Sequence, residues 1–282
     1  MLSVAPVSIQ KYNRNGVESG PDLVVVEEPL QIRLGYGPAD DRQQQPLVVT
    51  LRTPGPSGPA EDEELALGYL FSEGIIRQLP DVLSCRYCSQ DSDKQTNDLR
   101  VELHPDVAVD WSRLERSALS SSACGLCGKT SIEHIRNIIP EFARYPRRAS
   151  AFVPKPGVVL DLPEQLRAHQ RAFAHTGGLH AAALFDETGR ILLVREDVGR
   201  HNALDKLVGA ALKEGWLPLK NHGVLVSGRV GFELVQKCWM AGVPLLAAVG
   251  APTSLAVEMA QEAGMTLIGF IRNGNYNLYT SA

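Results

Sequence analysis

Residues 222–272 read HGVLVSGRVGFELVQKCWMAGVPLLAAVGAPTSLAVEMAQEAGMTLIGFIR. Three short aliphatic runs, HGVLVS (222–227), PLLAAVG (244–250) and TLIGFIR (266–272), alternate with stretches at 229–241 and 253–264 that read as helices. Apolar runs of this length suit strands buried on both faces, and each intervening segment is long enough to carry the chain back as a helix. The stretch therefore predicts a largely parallel sheet covered by helices. Upstream, a helix over 200–214 leads into it, and before that HAAALFD (180–186) and RILLVRE (190–196) flank a turn at Glu187–Gly189 as a hairpin. A further helix over 161–174 ends in a TGG turn.

The first half has a different texture. DLVVVEEP (22–29), LQIRL (30–34), PLVVTLR (46–52) and LRVELHP (99–105) read as strands, and RTPGPSGP (52–59) as a loop. EDEELALGYLFSEGII (61–76) opens with acids suited to a helix N-terminus and continues at helical spacing. TSIEHIRNII (130–139) carries a Thr130/Glu133 capping box and an Ile132/Ile135/Ile139 stripe. RYPRRASAFVPKPG (144–157) reads as a linker, its Arg144, Arg147, Arg148 and Lys155 forming a basic run. The expected organisation is α/β in two domains. Residues 1–145 form a smaller N-terminal α+β domain that includes the loop 121–129, and 146–282 form a three-layer α/β domain.

In such sheets ligands bind beyond the carboxyl ends of the strands, where helix N-termini offer free N–H groups. Reading only the strand ends gives TGGLH (176–180), REDVGRHNA (195–203), SGR (227–229), GAPT (250–253) and FIRNGN (270–275). All five fall at one rim and mix glycine with polar side chains. The candidate contacts are Thr176, Gly177, Gly178, His180, Arg200, His201, Ser227, Gly228, Arg229, Pro252 and Thr253. Arg200, Arg229 and Arg272 suggest an oxyanion, because a guanidinium grips phosphate through two parallel hydrogen bonds. Helix caps alone would explain one such segment; five on one edge predict a crevice.

SSACGLCGKTSIEH (121–134) places Cys124 and Cys127 three apart on a loop ahead of a helix. With Cys85 and Cys88 they form two C-x-x-C pairs, which raises a four-thiolate zinc site, although the 35 residues between the pairs exceed a typical ribbon. A thioredoxin-like motif lacks its preceding strand. The third reading is a mobile nucleophile: the N-terminus of helix 130–139 and Lys129 favour thiolate at Cys127 and, more weakly, at Cys124. Composition narrows the setting. The chain has 282 residues, 44 % hydrophobic content and a net charge of −4, so it offers no global attraction to nucleic acid or anionic membranes. No apolar run approaches a membrane span, and the start MLSVAPVSIQKYNRNG does not read as a signal peptide, so a cytoplasmic protein is expected.

SSACGLCGK, FAHTGGLHAAAL, REDVGRHNALDK, VSGR, APTSLAVEMA and GMTLIGFIRNGNYNLY together resemble the FdhD family of sulfur carrier proteins, over most of residues 20–282. The resemblance implies an accessory sulfurtransferase of formate dehydrogenase. A cysteine desulfurase loads persulfide sulfur on the loop, and the sulfur passes to molybdenum in the bis(molybdopterin guanine dinucleotide) cofactor, bound as substrate. By motif match Cys124 carries the persulfide and Cys127 supports relay, while the cofactor-binding stretch maps to Phe270, Ile271, Arg272, Asn273, Gly274 and Asn275. A homodimer is implied and no permanently held metal. Cys85 and Cys88 fall outside the pattern, which leaves them a local zinc or redox role. The sheet order also resembles the cytidine deaminase fold, but a zinc deaminase needs H-x-E and P-C-x-x-C where this chain has His201-Asn202-Ala203 and Ser227-Gly228-Arg229. Deamination is excluded. A zinc-stapled protein-interaction module without sulfur chemistry is the competing class.

Overall fold

The computed structural model describes residues 3–14, 16–88, 97–111, 114, 152 and 154–281. The loop 121–129 with Cys124 and Cys127, the helix expected over 130–139, Arg144, Arg147, Arg148 and the boundary at 145/146 lie outside them.

The chain opens with a hairpin, β1 (Val4–Asn13) and β2 (Gly16–Val25), in continuous antiparallel register from Val4↔Val25 to Asn13↔Gly16. β1 was not legible, because its Pro6, Ser8 and Gln10 break the aliphatic signal. β3 (Glu28–Tyr36) and β4 (Gln43–Arg52) follow, then α1 (Pro59–Ser72), a 3-10 turn (Leu79–Asp81), β5 (Val82–Tyr87) and β6 (Asp98–Leu103). These strands form a sheet of order β4-β3-β6-β5, with β3 and β6 parallel across the α1 connection. The segments expected as strands at 22–29 and 30–34 thus divide differently, with a break after Val25 and one strand running through 28–36.

In the second half α2 (Pro156–His169) and α3 (Arg171–Thr176) replace the single helix expected over 161–174, the chain breaking at Gln170. β7 (His180–Phe185) and β8 (Ile191–Asp197) form the hairpin. Then come α4 (Arg200–Lys213), β9 (Gly223–Val226), α5 (Phe232–Met240), β10 (Leu245–Ala248), α6 (Ser254–Glu262), β11 (Thr266–Arg272) and β12 (Asn275–Thr280). The sheet order is β12-β11-β10-β9-β7-β8. From β8 through β9 and β10 to β11 the chain advances in one direction across the sheet, so crossovers of one hand put α4, α5 and α6 on the same face.

Strand alternation divides the core accordingly. Ala182, Leu184, Val224, Val226, Leu246 and Ala248 pack toward α4–α6 in the same hydrophobic cluster as the four-stranded sheet. Ala183, Phe185, Leu225, Leu245 and Ala247 pack against Val159, Leu162 and Leu166 of α2 on the other face. The result is helix, sheet and helices in three layers, as expected, with α1 wedged between α4 and the smaller sheet. α1 and α4 cross at Gly68 and Gly209. A Cβ at Gly68 would strike the Asp205 carbonyl and one at Gly209 the Glu64 carbonyl, so the helix backbones approach as only glycine permits. Among the described residues no helix is long and apolar enough to cross a membrane.

Candidate functional site

β8, β9, β10 and β11 end, and the antiparallel β7 begins, at one rim of the six-stranded sheet. The segments that follow are laced by backbone bonds. Ser227 N donates to Ala181 O at 3.0 Å, Gly250 N to Gly228 O at 3.2 Å, Thr253 N to Val230 O at 2.9 Å and Phe270 N to Gly250 O at 3.1 Å. Val230 and Pro252 form an isolated parallel bridge. Gly228 lies under the His180 ring, with room for a Cβ only 3.1 Å from Nδ1. The structure therefore brings together TGGLH, REDVGRHNA, SGR and GAPT, and the start of FIRNGN.

The predicted residues divide by what their side chains already do. The Thr176 hydroxyl donates to Ala172 O at 3.0 Å, and Gly177 closes α3 in the left-handed conformation. Thr253 caps α6 by accepting from Ala256 N at 3.3 Å, and Ser227 Oγ accepts from Ala181 N at 2.9 Å. His201 Nε2 lies 2.9 Å from Glu233 Oε2. Arg200 and Arg229 make no ion pair among the described residues, and the Nε of Arg200 is buried without a partner there. Arg272 is exposed, its guanidinium 5.1 Å above the Phe270 ring. Phe270 has φ 55°, a conformation disfavoured for a bulky side chain, where the β11–β12 register slips between Gly269 and Arg272. Ile271 is buried in the α2-side core, whereas Asn273, Gly274 and Asn275 form the exposed turn into β12, a strand the sequence reading did not anticipate.

Beside the rim, under α2 and α3, lies a cavity of about 380 Å³. That falls within the roughly 300–1,000 Å³ of small-molecule sites. Gly177, Gly178, His180 and Ser227 line it together with Pro163, Leu166, Arg167, Gln170, Phe173, Leu179 and Val249, which the sequence reading missed. For those between Pro163 and Phe173 the advance signal lay in DLPEQLRAHQRAF: a proline inside the helix and a polar residue at the break.

Burial first, then the nearby Arg200, His201 and Arg229 charges, hold the His180 imidazole below the ordinary histidine range. An unfolded chain takes up that proton near the ordinary value of about 6.5, before the folded one does, so protonation favours unfolding. Stability should therefore fall as pH drops below about 6.5, and His180→Asn should flatten that acid limb in denaturant titrations at successive pH values. An unchanged slope would show that His180 is not a contributor.

Cys85 lies in β5 opposite Val101, its thiol packed against the core and pushed up to about 12, chiefly by burial. Cys88 follows on extended chain, its N–H bonded to Asp98 O at 2.9 Å. Residues three apart on extended chain project to opposite faces, which does not converge the two thiols. No metal-ligating cluster occurs among the described residues.

These features define an α/β protein with a glycine- and arginine-lined crevice and an adjoining cavity, on a sheet that lacks the deaminase signature. Comparison with known proteins makes the class specific. The sequence profile of the FdhD/NarQ family matches residues 25–282, and the chain belongs to that family. It is 47 % identical over 270 residues to the sulfur carrier protein FdhD of Streptomyces coelicolor, covering 94 % of this chain and 90 % of the other. It is 40 % identical over 259 residues to the protein of the same name from Saccharolobus solfataricus, covering 92 % and 89 %. A crystal structure of a formate dehydrogenase accessory protein from Desulfotalea psychrophila matches with a TM-score of 0.70 at 20 % identity, over 99 % of this chain and 98 % of the other, and supports the fold.

Proposed function

We propose that this protein is a sulfur carrier accessory to formate dehydrogenase. It takes sulfur from a cysteine desulfurase and delivers it to the molybdenum bis(molybdopterin guanine dinucleotide) cofactor bound at the rim. The observation that carries this reading is that one family match spans both halves of the chemistry, the CGLCG loop and the crevice, with relatives named for sulfur carriage. Cys124 attacks the terminal sulfur of the donor persulfide as thiolate. The donor leaves as a thiol, and Cys124 holds the persulfide. Cys127 then either accepts that sulfur in turn or attacks Cys124, forming a disulfide and releasing the outer sulfur as sulfide. Arg200 and Arg229, unpaired with carboxylates among the described residues, suit the cofactor's phosphates, with the N-terminus of α4 adding N–H donors. The zinc-module alternative has no supporting observation in the geometry of Cys85 and Cys88.

The test is intact mass after incubation with a cysteine desulfurase and cysteine, with metal content measured on the same sample. A reducible gain of one sulfur mass is expected; no gain, with one tightly held zinc per chain, would sink the carrier reading. The Cys85→Ser/Cys88→Ser double variant should fold and load sulfur as the wild type does. A zinc module would instead lose its metal and unfold.

A further inference from the structure

Two ion pairs join α4 to α5, one turn apart. Asp205 and Lys237 meet at 2.7 Å within the core. Four residues nearer the N-terminus of each helix, and so at the rim, His201 Nε2 lies 2.9 Å from Glu233 Oε2. The inner pair is sealed, its side chains at most 9 % exposed, whereas the His201 side chain keeps 26 % of its surface open. His201 stands in the first turn of α4, where the helix dipole repels a cation, and Glu233 in the first turn of α5, where the dipole favours a carboxylate. A lysine or arginine would clamp the two helices as well; a histidine can also take up and release a proton near neutral pH. The other groups facing this ring are His180 of β7, which feels the charge of His201, and Asp205 on the same helix. Arg200 precedes it in the chain, and Arg200 and Arg229 both bear on His180. Glu233 occupies Nε2, which leaves Nδ1 for a second partner.

Sulfur delivery needs such a group. In the disulfide-forming branch of the carrier reading, the outer sulfur of an ionised persulfide would depart as a doubly charged sulfide, a very poor leaving group, unless a proton reaches it as the bond breaks.

We infer that His201 is the general acid of sulfur release and that Glu233 positions it. The Cys127 thiolate attacks the Cys124 sulfur, and the bond from Cys124 to the outer sulfur breaks. The outer sulfur takes that electron pair and the Nδ1 proton of His201. An imidazolium and two sulfur anions thus become a neutral imidazole, a disulfide and hydrosulfide. Counted as sulfane sulfur, the outer atom gains the two electrons that the cysteine pair loses. The Nε2 proton stays with Glu233, and solvent restores the one on Nδ1. The inference rests on the carrier reading, and on its disulfide branch in particular.

The experiment loads the full chain with a cysteine desulfurase and cysteine, removes both, and follows sulfide release and loss of the added sulfur mass without reductant. Rates are taken per loaded chain from about pH 6 to 9. Wild type should release sulfide along a bell-shaped profile, its acid limb set by Cys127 and its alkaline limb by His201. His201→Gln keeps an amide near the place of Nε2 and has no proton to transfer. It should slow release about 100-fold and abolish the alkaline limb. Glu233→Gln should slow it about tenfold and displace that limb to lower pH, because a neutral amide no longer meets the charge of the ring. A purely structural pair would cost stability in both variants and leave the rate per loaded chain and the shape of the profile as in wild type. That result, or a wild-type profile without an alkaline limb, overturns the inference. Should His201→Gln fail to load, the displacement in Glu233→Gln decides alone. Wild type that loads sulfur and never releases it overturns the assignment of His201 and leaves the loading half of the carrier reading standing. Wild type that fails to load overturns both.

Discussion

Asp197→Ala should destabilise the protein by about 3–5 kcal/mol, the usual cost of stranding a buried charge. Asp197 and Lys206 are both fully buried and lie 2.8 Å apart. Lys206 Nζ also donates to Thr53 O at 2.8 Å and Glu196 O at 3.2 Å. Asp197 accepts from Thr53 N at 3.1 Å, Gly199 N at 2.8 Å and Asn202 Nδ2 at 3.0 Å. The pair thus clamps the end of β8 to the end of β4 and the start of α4. Lys206→Met should cost about as much, because it leaves the carboxylate buried without its cation. The double variant Asp197→Ala/Lys206→Met should recover part of the loss, since Asp197 and Lys206 are then both gone and only Glu61, 3.7 Å from Lys206 in the wild type, is left without that cation. Denaturant midpoints of the four proteins decide it. Single variants within about 1 kcal/mol of wild type would mean that water reaches the pair.

That prediction alters how REDVGRHNALDK is understood. The segment is the strongest family signal in the C-terminal half, and its charges suggested a ligand. Most of them hold layers together. Arg195 grips Glu64 at 2.5 and 2.7 Å, Glu196 caps α3, and Asp205 meets Lys237 at 2.7 Å and Ser72 at 3.0 Å. One of these contacts also serves the rim: by capping α3, Glu196 fixes the wall of the cavity that Gln170 and Phe173 line. Within this segment Arg200 is the cation that the fold leaves unpaired among the described residues.

The same contacts explain what the sequence could disclose. The alternation in 222–272 exposed the sheet because its signals are local: aliphatic runs of strand length, helical periods between them, glycines at strand ends. From these the common rim followed by topology alone. EDEEL at the start of α1 was read from equally local physics, as acids favoured by a helix N-terminus, and that reading was incomplete. Asp62 meets Arg52 at 2.8 Å, Glu64 meets Arg195, and Glu61 lies 3.7 Å from Lys206, all within the core. Their partners lie on β4, β8 and α4, and no window of sequence reports a contact spanning 131 residues. The cavity escaped for a related reason. Its wall depends on the break between α2 and α3, which Glu196 stabilises from 23 residues away.

Cys124→Ala should abolish sulfur loading outright and leave nucleotide binding at the rim unchanged, because the proposed mechanism divides labour between a carrying thiol and a receiving crevice. An alanine has no atom that can form a persulfide, so intact mass after desulfurase treatment should show no reducible gain. Arg200→Ala/Arg229→Ala should do the reverse. Each charge-assisted bond to phosphate is worth about 1.5–3 kcal/mol, so losing even one set weakens GDP binding roughly 10- to 100-fold. Sulfur loading needs no phosphate contact and should proceed as in wild type. The two measurements together distinguish three situations. Opposite losses place loading and delivery in separate parts of one chain. Loading that persists in Cys124→Ala moves the first persulfide to Cys127 or another thiol. Arginine variants that bind GDP normally would remove the phosphates from this rim, and the cofactor's place in the crevice with them.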